Sequence, residues 1–293
     1  MNDKPIIGRY ARIIMDDWFK RTFGTEPNKG LLIMLLKELI PEHDIKDLTY
    51  VQQEHINPFP GKKDALIDVE CVDTDGTRFI VEMQVARQRF FYERSLFYST
   101  FGIQQQVEKS SSMDYGFPPV YFVGFMDFSL HEGSDRVLYR YSLRENETGE
   151  EMTGSLQFVF LELTNCRKAL TPEATLLDNL CYALHNMEHL TDRPEELKEE
   201  IFKRLFKTAE IATFTPEERI KYENDMTTER DIQNYISYAR EKGLEEGRAE
   251  GIMEGMEKGL LEAARNMLAE GFSIDLVVKC TGLSIEQVKE LKL

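Results

Sequence analysis

Residues 65–85, ALIDVECVDTDGTRFIVEMQV, constrain the fold more than any other stretch. Two alternating apolar runs flank the turn cluster Asp73-Thr74-Asp75-Gly76, the pattern of a β-hairpin. In the first run Ile67, Val69 and Cys71 share one face, and Leu66, Asp68 and Glu70 the other. In the second, Phe79, Val81, Met83 and Val85 point one way, and Ile80, Glu82 and Gln84 the other. A three-residue loop, Thr74-Asp75-Gly76, places glycine where the backbone must be left-handed. It sets Asp73 opposite Thr77, Asp68 opposite Glu82 and Glu70 opposite Ile80. Loops of two or four residues would mix Asp68 into the face of Val81 and Met83, so the apolar pattern selects three.

Like charges directly opposed across a strand pair are unfavourable. An Asp facing a Glu therefore points to a divalent cation held by both carboxylates, and an all-oxygen site suits Mg2+. The plain alternative is a solvated sheet face carrying scattered acids.

The flanking segments read as a mixed α/β core. Residues 9–22 have helical spacing, with Ile13, Ile14, Trp18 and Phe19 as core positions, and a second helix is expected from about Asn28 to Ile40, ended by Pro41. Glu26 then lies at the mouth of that helix. A strand is expected over 48–56 and a loop over 57–61. Beyond the hairpin, a helix is expected from Gln88 to about Lys109 and a loop over 110–116. The apolar run VYFVGFMDF after Pro118-Pro119 reads as a buried strand. Two more strands are expected over 136–143 and 155–163, joined by a polar turn.

From Pro172 the pattern is helical, with candidate segments at 178–190, 194–210, 216–222 and 228–260. Glycine recurs at 243, 247, 251, 255 and 259. On a helix such a stripe precesses by about 40° per step and allows close helix approach, which suits self-association. As each glycine costs about 1 kcal/mol of helix propensity, a charged linker is the alternative. Residues 274–291 read as helix, turn at Gly282 and helix capped by Ser284 with Gln287. That order suits a DNA-binding helix-turn-helix. The second helix sets only Lys289 and Lys292 against Glu286 and Glu290, which favours a small packing hairpin. The expected division is 1–168, 169–240, 241–262 and 263–293.

The chain carries a net charge of −16, against broad nonspecific nucleic-acid binding. The charge is uneven: residues 1–110 are nearly neutral at −2 and the remainder carries −14. No apolar run approaches the ~18–20 residues of a membrane span, and the start lacks a secretory layout, so cytoplasmic residence is expected. Cys71, Cys166, Cys181 and Cys280 lack zinc-site spacing and are expected to be free thiols. His185-Asn186-Met187-Glu188-His189 matches a zinc-peptidase pattern. The match is short, no third ligand stands out, and the reading is set aside.

The combination resembles the PD-(D/E)xK nuclease core and, more narrowly, the recombination-promoting nuclease (Rpn) family of bacterial transposase-like proteins. The matching pieces are FGTEPNKGLL at 23–32, the DVECVDTDG-to-IVEMQV hairpin, FFYERSLFYS at 90–99, PPVYFVGFMDF, and LQFVFLELTNCRK at 156–168. The tail matches through AREKGLEEGRAEG and LAEGFSIDLVVKCTGLSIEQVKEL. The resemblance implies a mixed sheet flanked by helices, followed by an all-helical C-terminal region. It also implies a Mg2+-dependent (or Mn2+-dependent) DNA endonuclease tied to recombination or mobile elements, with Asp68 and Glu82 as metal ligands. Gln84 stands where the wider superfamily has lysine, and an amide supplies no charge. It is catalytic in this reading, with Glu26, Gln88 and Arg94 supporting and Arg94 as the stand-in cation. DNA is the implied partner, and a homo-oligomer through the helical tail a further one. The alternative is a catalytically weak nuclease fold kept as a binding or assembly module that works through its acidic helical tail.

Overall fold

The computed structural model describes residues 8–51, 67–108, 116–166 and 168–291. They group into two compact units, one ending at Tyr222 and one beginning at Glu223. The expected loop at 57–61, all but the last residue of the loop expected over 110–116, and most of the strand expected over 48–56 lie outside the described residues.

The first unit is built on a six-stranded mixed sheet. Its strands are β1 (Leu48–Tyr50), β2 (Val69–Asp73), β3 (Arg78–Gln84), β4 (Val120–Met126), β5 (Leu138–Arg144) and β6 (Glu151–Glu162), in the order β1-β2-β3-β4-β6-β5. The hairpin has the register that its apolar pattern selects: Val69 pairs with Val81, Glu70 with Ile80 and Val72 with Arg78. The Asp73 amide donates to the Thr77 carbonyl at 2.8 Å, and Gly76 takes a φ of +91°, the left-handed geometry that a side chain would strain. After the hairpin the chain crosses over through a helix, α3 (Phe91–Glu108), to β4, which runs parallel to β3. β6 runs parallel to β4 and antiparallel to β5.

Helices cover both sheet faces. On one, α3 sets Phe91 and Phe101 against Ile80, Val120, Phe122 and Phe160. A Cβ added at Gly124 would come within 3.1 Å of Phe91 and 3.0 Å of Phe160, so this glycine lets the α3 aromatics reach the sheet. On the other face lie α1 (Asp16–Phe23) and α2 (Lys29–Leu39), with Phe19 5.5 Å from Phe125 between ring centroids. α2 packs in turn on α4 (Leu176–Asn186) and α5 (Glu200–Ala209).

Helix bounds shift from the sequence expectations, and the plain alternative for the acidic face fails. The helix expected over 9–22 begins only at Asp16. Ahead of it, Ile13 and Ile14 are buried in non-helical chain, and Tyr10 bridges Glu210; helical spacing of apolar residues there reflects burial alone. α3 begins at Phe91, not Gln88, so Arg94 sits in its first turn. The Asp/Glu face of the hairpin is also not solvated: Glu70 and Glu82 are each 2% exposed, because α3 covers that face. Glu70 is paired there with buried Arg78.

The next helix is α6 (Pro216–Ala269). It runs unbroken through the five spaced glycines, and a Cβ at any of them would meet nothing within 4 Å. In the second unit, α7 (Ile274–Thr281) and α8 (Ile285–Glu290) close a small core of Ala264, Val277, Leu283 and Val288. Gly282 turns the chain at a φ of +73°, and Ser284 with Gln287 forms a capping box. The four cysteines are free. No helix among the described residues is long and apolar enough to cross a membrane.

Candidate active site

Parallel strands end where polar groups and helix starts gather, and β3 ends beside the first turn of α3. Glu82 lies on the α3 face near that end, and Asp68, the residue just before β2, opposes it. The two residues brace each other. The Asp68 amide donates to Glu82 Oε1 at 3.0 Å, and Asp68 Oδ2 accepts from the Met83 amide at 2.8 Å. The Asp68 side chain is 10% exposed and that of Glu82 2%.

Two cations reach this pair. Lys20 Nζ of α1 lies 3.3 Å from Asp68 Oδ1 and 2.8 Å from Asp16 Oδ1. Arg94 Nη2 of α3 lies 3.2 Å from Glu82 Oε2, and its Nη1 donates to Gln88 Oε1 at 2.6 Å. The structure thus joins Asp68, Glu82, Arg94 and Gln88 in one hydrogen-bonded series. It adds Lys20 and Asp16, which no spacing in the sequence singles out because they lie some fifty residues upstream of Asp68.

Burial pushes the Asp68 carboxyl well above the usual carboxylate range, and its hydrogen bond with Asp16 adds to the effect. Glu82 is pushed up as well, first by burial and then by the neighbouring Asp68 charge. Burial would raise Asp16 too, but the hydrogen bond with Asp68 and the Lys20 ammonium outweigh it and hold it low. Lys20 is raised despite its own burial, through its bond to Asp16 and the charge of Asp68. Two buried carboxyls resist ionisation even with Lys20 and Arg94 beside them, and they offer oxygen donors only. A divalent cation supplies further positive charge, so these residues fit a Mg2+ or Mn2+ ion held by Asp68 and Glu82.

Gln84 lies on the same strand face two residues on, but its Nε2 donates to the Met83 carbonyl at 3.0 Å and bonds to neither carboxylate. Glu26 sits in the turn before α2, 66% exposed, with Lys29 Nζ 3.3 Å away. Neither a hydrogen bond nor an ion pair among the described residues joins it to Asp68 or Glu82.

A second cluster lies at the far end of the hairpin. His43 Nε2 is 3.1 Å from Asp73 Oδ2 and 3.6 Å from Asp75 Oδ2, and the three side chains present ligand atoms within 4.8 Å of one another. Thirty residues separate His43 from Asp73, so no motif announces it. A mixed imidazole and carboxylate set suits Zn2+ or Mn2+ better than Mg2+.

The zinc-peptidase pattern does not survive folding. α4 ends at Asn186, and His189 falls in the following 3-10 turn, so the two histidines do not share one α-helical face. His185 Nδ1 bonds to Asp127, Arg12 Nε lies 3.1 Å from Glu188 Oε1, and the His189 side chain is 74% exposed.

The family comparisons agree with this architecture. The model for the PD-(D/E)XK nuclease family transposase matches residues 13–239. Residues 257–293 match the C-terminal HTH domain of the Rpn/YhgA-like nuclease family, the helix-turn-helix that the charge pattern alone ranks behind a packing hairpin. No curated protein and no solved structure matches the chain significantly. The mixed sheet with flanking helices is that of a PD-(D/E)xK nuclease fold, and the chain belongs to the Rpn-type PD-(D/E)XK nuclease family of transposases.

Proposed function

We propose that the protein is a metal-dependent DNA endonuclease whose centre is Asp68 and Glu82. The observation that carries this reading is the buried, mutually braced carboxylate pair at the end of β3, with Lys20 on one member and Arg94 on the other. Asp68 and Glu82 would hold Mg2+ or Mn2+, which activates water and neutralises charge on a phosphodiester when bound. Lys20 and Arg94 supply the fixed positive charge that Gln84 cannot. Both are pre-placed, so they stabilise developing negative charge without reorganising. Gln84, free of both carboxylates, orients water or a phosphate oxygen through its amide. Gln88 holds Arg94 by a hydrogen bond, whereas Glu26, paired with Lys29, has no contact among the described residues that would give it a part in the chemistry.

DNA is the substrate, engaged in recombination or mobile-element chemistry in the cytoplasm, and the C-terminal helix-turn-helix is a second DNA contact. Cleavage of a DNA duplex with Mg2+, lost in Asp68→Ala and in Glu82→Ala, tests the reading; unchanged cleavage in both variants refutes it.

A second reading has its own support. α6 exposes Tyr235, Tyr238, Met253 and Met256, a set that suits a homo-oligomer or an assembly partner. Under it the sheet domain is a weak nuclease and the helical region the working part. Sedimentation of the full chain against one lacking residues 241–293 separates the two: loss of an oligomer together with absent metal binding favours assembly.

A further inference from the structure

The solvent side of α5 carries Lys203, Arg204 and Lys207, all exposed, with Glu200 as its one acid. Beside it opens a cavity of about 450 Å³, walled by Arg21 of α1, Asn28 and Leu31 at the start of α2, and Arg204, Lys207 and Thr208 of α5. Among the described residues three cations and no carboxylate line it, in a chain of net charge −16.

Two of the three cations have one acidic neighbour each, and the third has none among the described residues. Lys207 has no ion pair among the described residues. Arg204 Nε lies 3.2 Å from Glu200, while its Nη1 rests against the backbone of Gly30, where an added Cβ would lie 3.2 Å away. Arg21 Nη2 pairs with Glu218 at 2.9 Å, and its guanidinium lies over the Phe214 ring at 4.3 Å, which fixes its position. Concentrated positive charge on a rigid wall recognises phosphate. Arg21 also follows Lys20 directly, so one turn of α1 reaches both the cavity and Asp68.

We infer that the α5 ridge and this cavity bind the phosphate backbone of the DNA strand that runs past the Asp68–Glu82 centre. The identity of the strand rests on the nuclease reading; the anion site rests on the cavity alone. Removing one phosphate-binding cation makes the log–log salt slope of duplex binding shallower by about 0.9.

The test is fluorescence anisotropy of a labelled DNA duplex with the full-length protein in EDTA, across a salt series. The double variant Arg204→Gln/Lys207→Gln changes only exposed side chains and is compared with Lys37→Gln, an exposed lysine of α2 outside the cavity. The expected result is duplex binding weakened by about tenfold and a slope shallower by about 2 for the double variant, with Lys37→Gln matching the parent. Parent-like affinity and slope in the double variant overturn the inference. So does a double variant that loses binding of ATP or inorganic phosphate while duplex binding stays intact, because the cavity then serves a free phosphate compound. Asp68→Asn is assayed in parallel for Mg2+-dependent cleavage, which it is expected to lose. If it keeps that cleavage, the nuclease reading fails while the anisotropy result still decides the cavity.

Discussion

Asp68 and Glu82 are tied to each other's strand: the Asp68 amide donates to Glu82 Oε1 at 3.0 Å, and Asp68 Oδ2 takes the Met83 amide at 2.8 Å. The hairpin itself therefore aims both carboxyls at one point. Ionising both is costly even with Lys20 and Arg94 at hand, and protonation or a bound cation relieves that cost.

That cost predicts a trade between stability and activity. Asp68→Asn and Glu82→Gln each lower DNA cleavage by on the order of 10²-fold or more. Without metal they leave the protein at least as stable at neutral pH, by on the order of 1 kcal/mol. Urea unfolding in EDTA beside a cleavage assay checks both halves, and a clear loss of stability in either variant would contradict the claim of strain.

The pH dependence has a definite sign. Asp68 and Glu82 both ionise above the usual carboxylate range, because burial and neighbouring acids disfavour their charges. Their contribution to stability is complete below the unfolded-state value near ~4 and is lost as pH rises through the raised folded-state values. Metal-free protein should lose stability as pH climbs through neutrality, and Asp68→Asn should flatten the loss. Metal binding requires the ionised forms, so Mn2+ affinity should rise over the same interval with release of protons. Calorimetry in buffers of different ionisation enthalpy measures that release.

Much of this was legible because it is local. Alternation and one glycine determined the hairpin register, and Gly76 does adopt the left-handed turn position. The burial of the acidic face was not legible, since it depends on α3 closing over the sheet through Gly124. Lys20 and Asp16 were out of reach for a different reason: their link to Asp68 depends on how α1 docks, not on spacing. His43 meets Asp73 and Asp75 across thirty residues in the same way. His185 and His189 show the reverse error, a pattern in letters that the break after Asn186 pulls apart.

The turn gives a check on the frame. A Cβ at Gly76 would lie 2.9 Å from Pro118 Cγ, and the residue has a φ of +91°. Gly76→Ala should destabilise the protein by about 1–2 kcal/mol, read as a lower urea midpoint; no change would contradict this turn geometry.

Charge at the site should come from outside the hairpin. Lys20→Met is expected to reduce cleavage by about 10²-fold, with Gln84→Ala costing about tenfold. Steady-state rates at saturating Mg2+ rank them, and a larger loss for Gln84→Ala would shift the role back to β3.

His185 is tied into the fold through Asp127. Its bond to Asp127 raises its pKa, against the effect of its own burial. That stabilisation is complete below about 6.5 and fades as pH rises through the raised value. The ring is partly exposed, so His185→Ala should cost about 0.5–1 kcal/mol more at pH 5.5 than at pH 9. Unfolding curves at the two pH values check this.

The most direct measurement of the central claim is cleavage of a DNA duplex by the full-length protein, with and without Mg2+, comparing the parent with Asp68→Ala. The account predicts cutting by the parent only when Mg2+ is present, and none by the variant. Equal cutting by both proteins, or cutting that persists in EDTA, would contradict it.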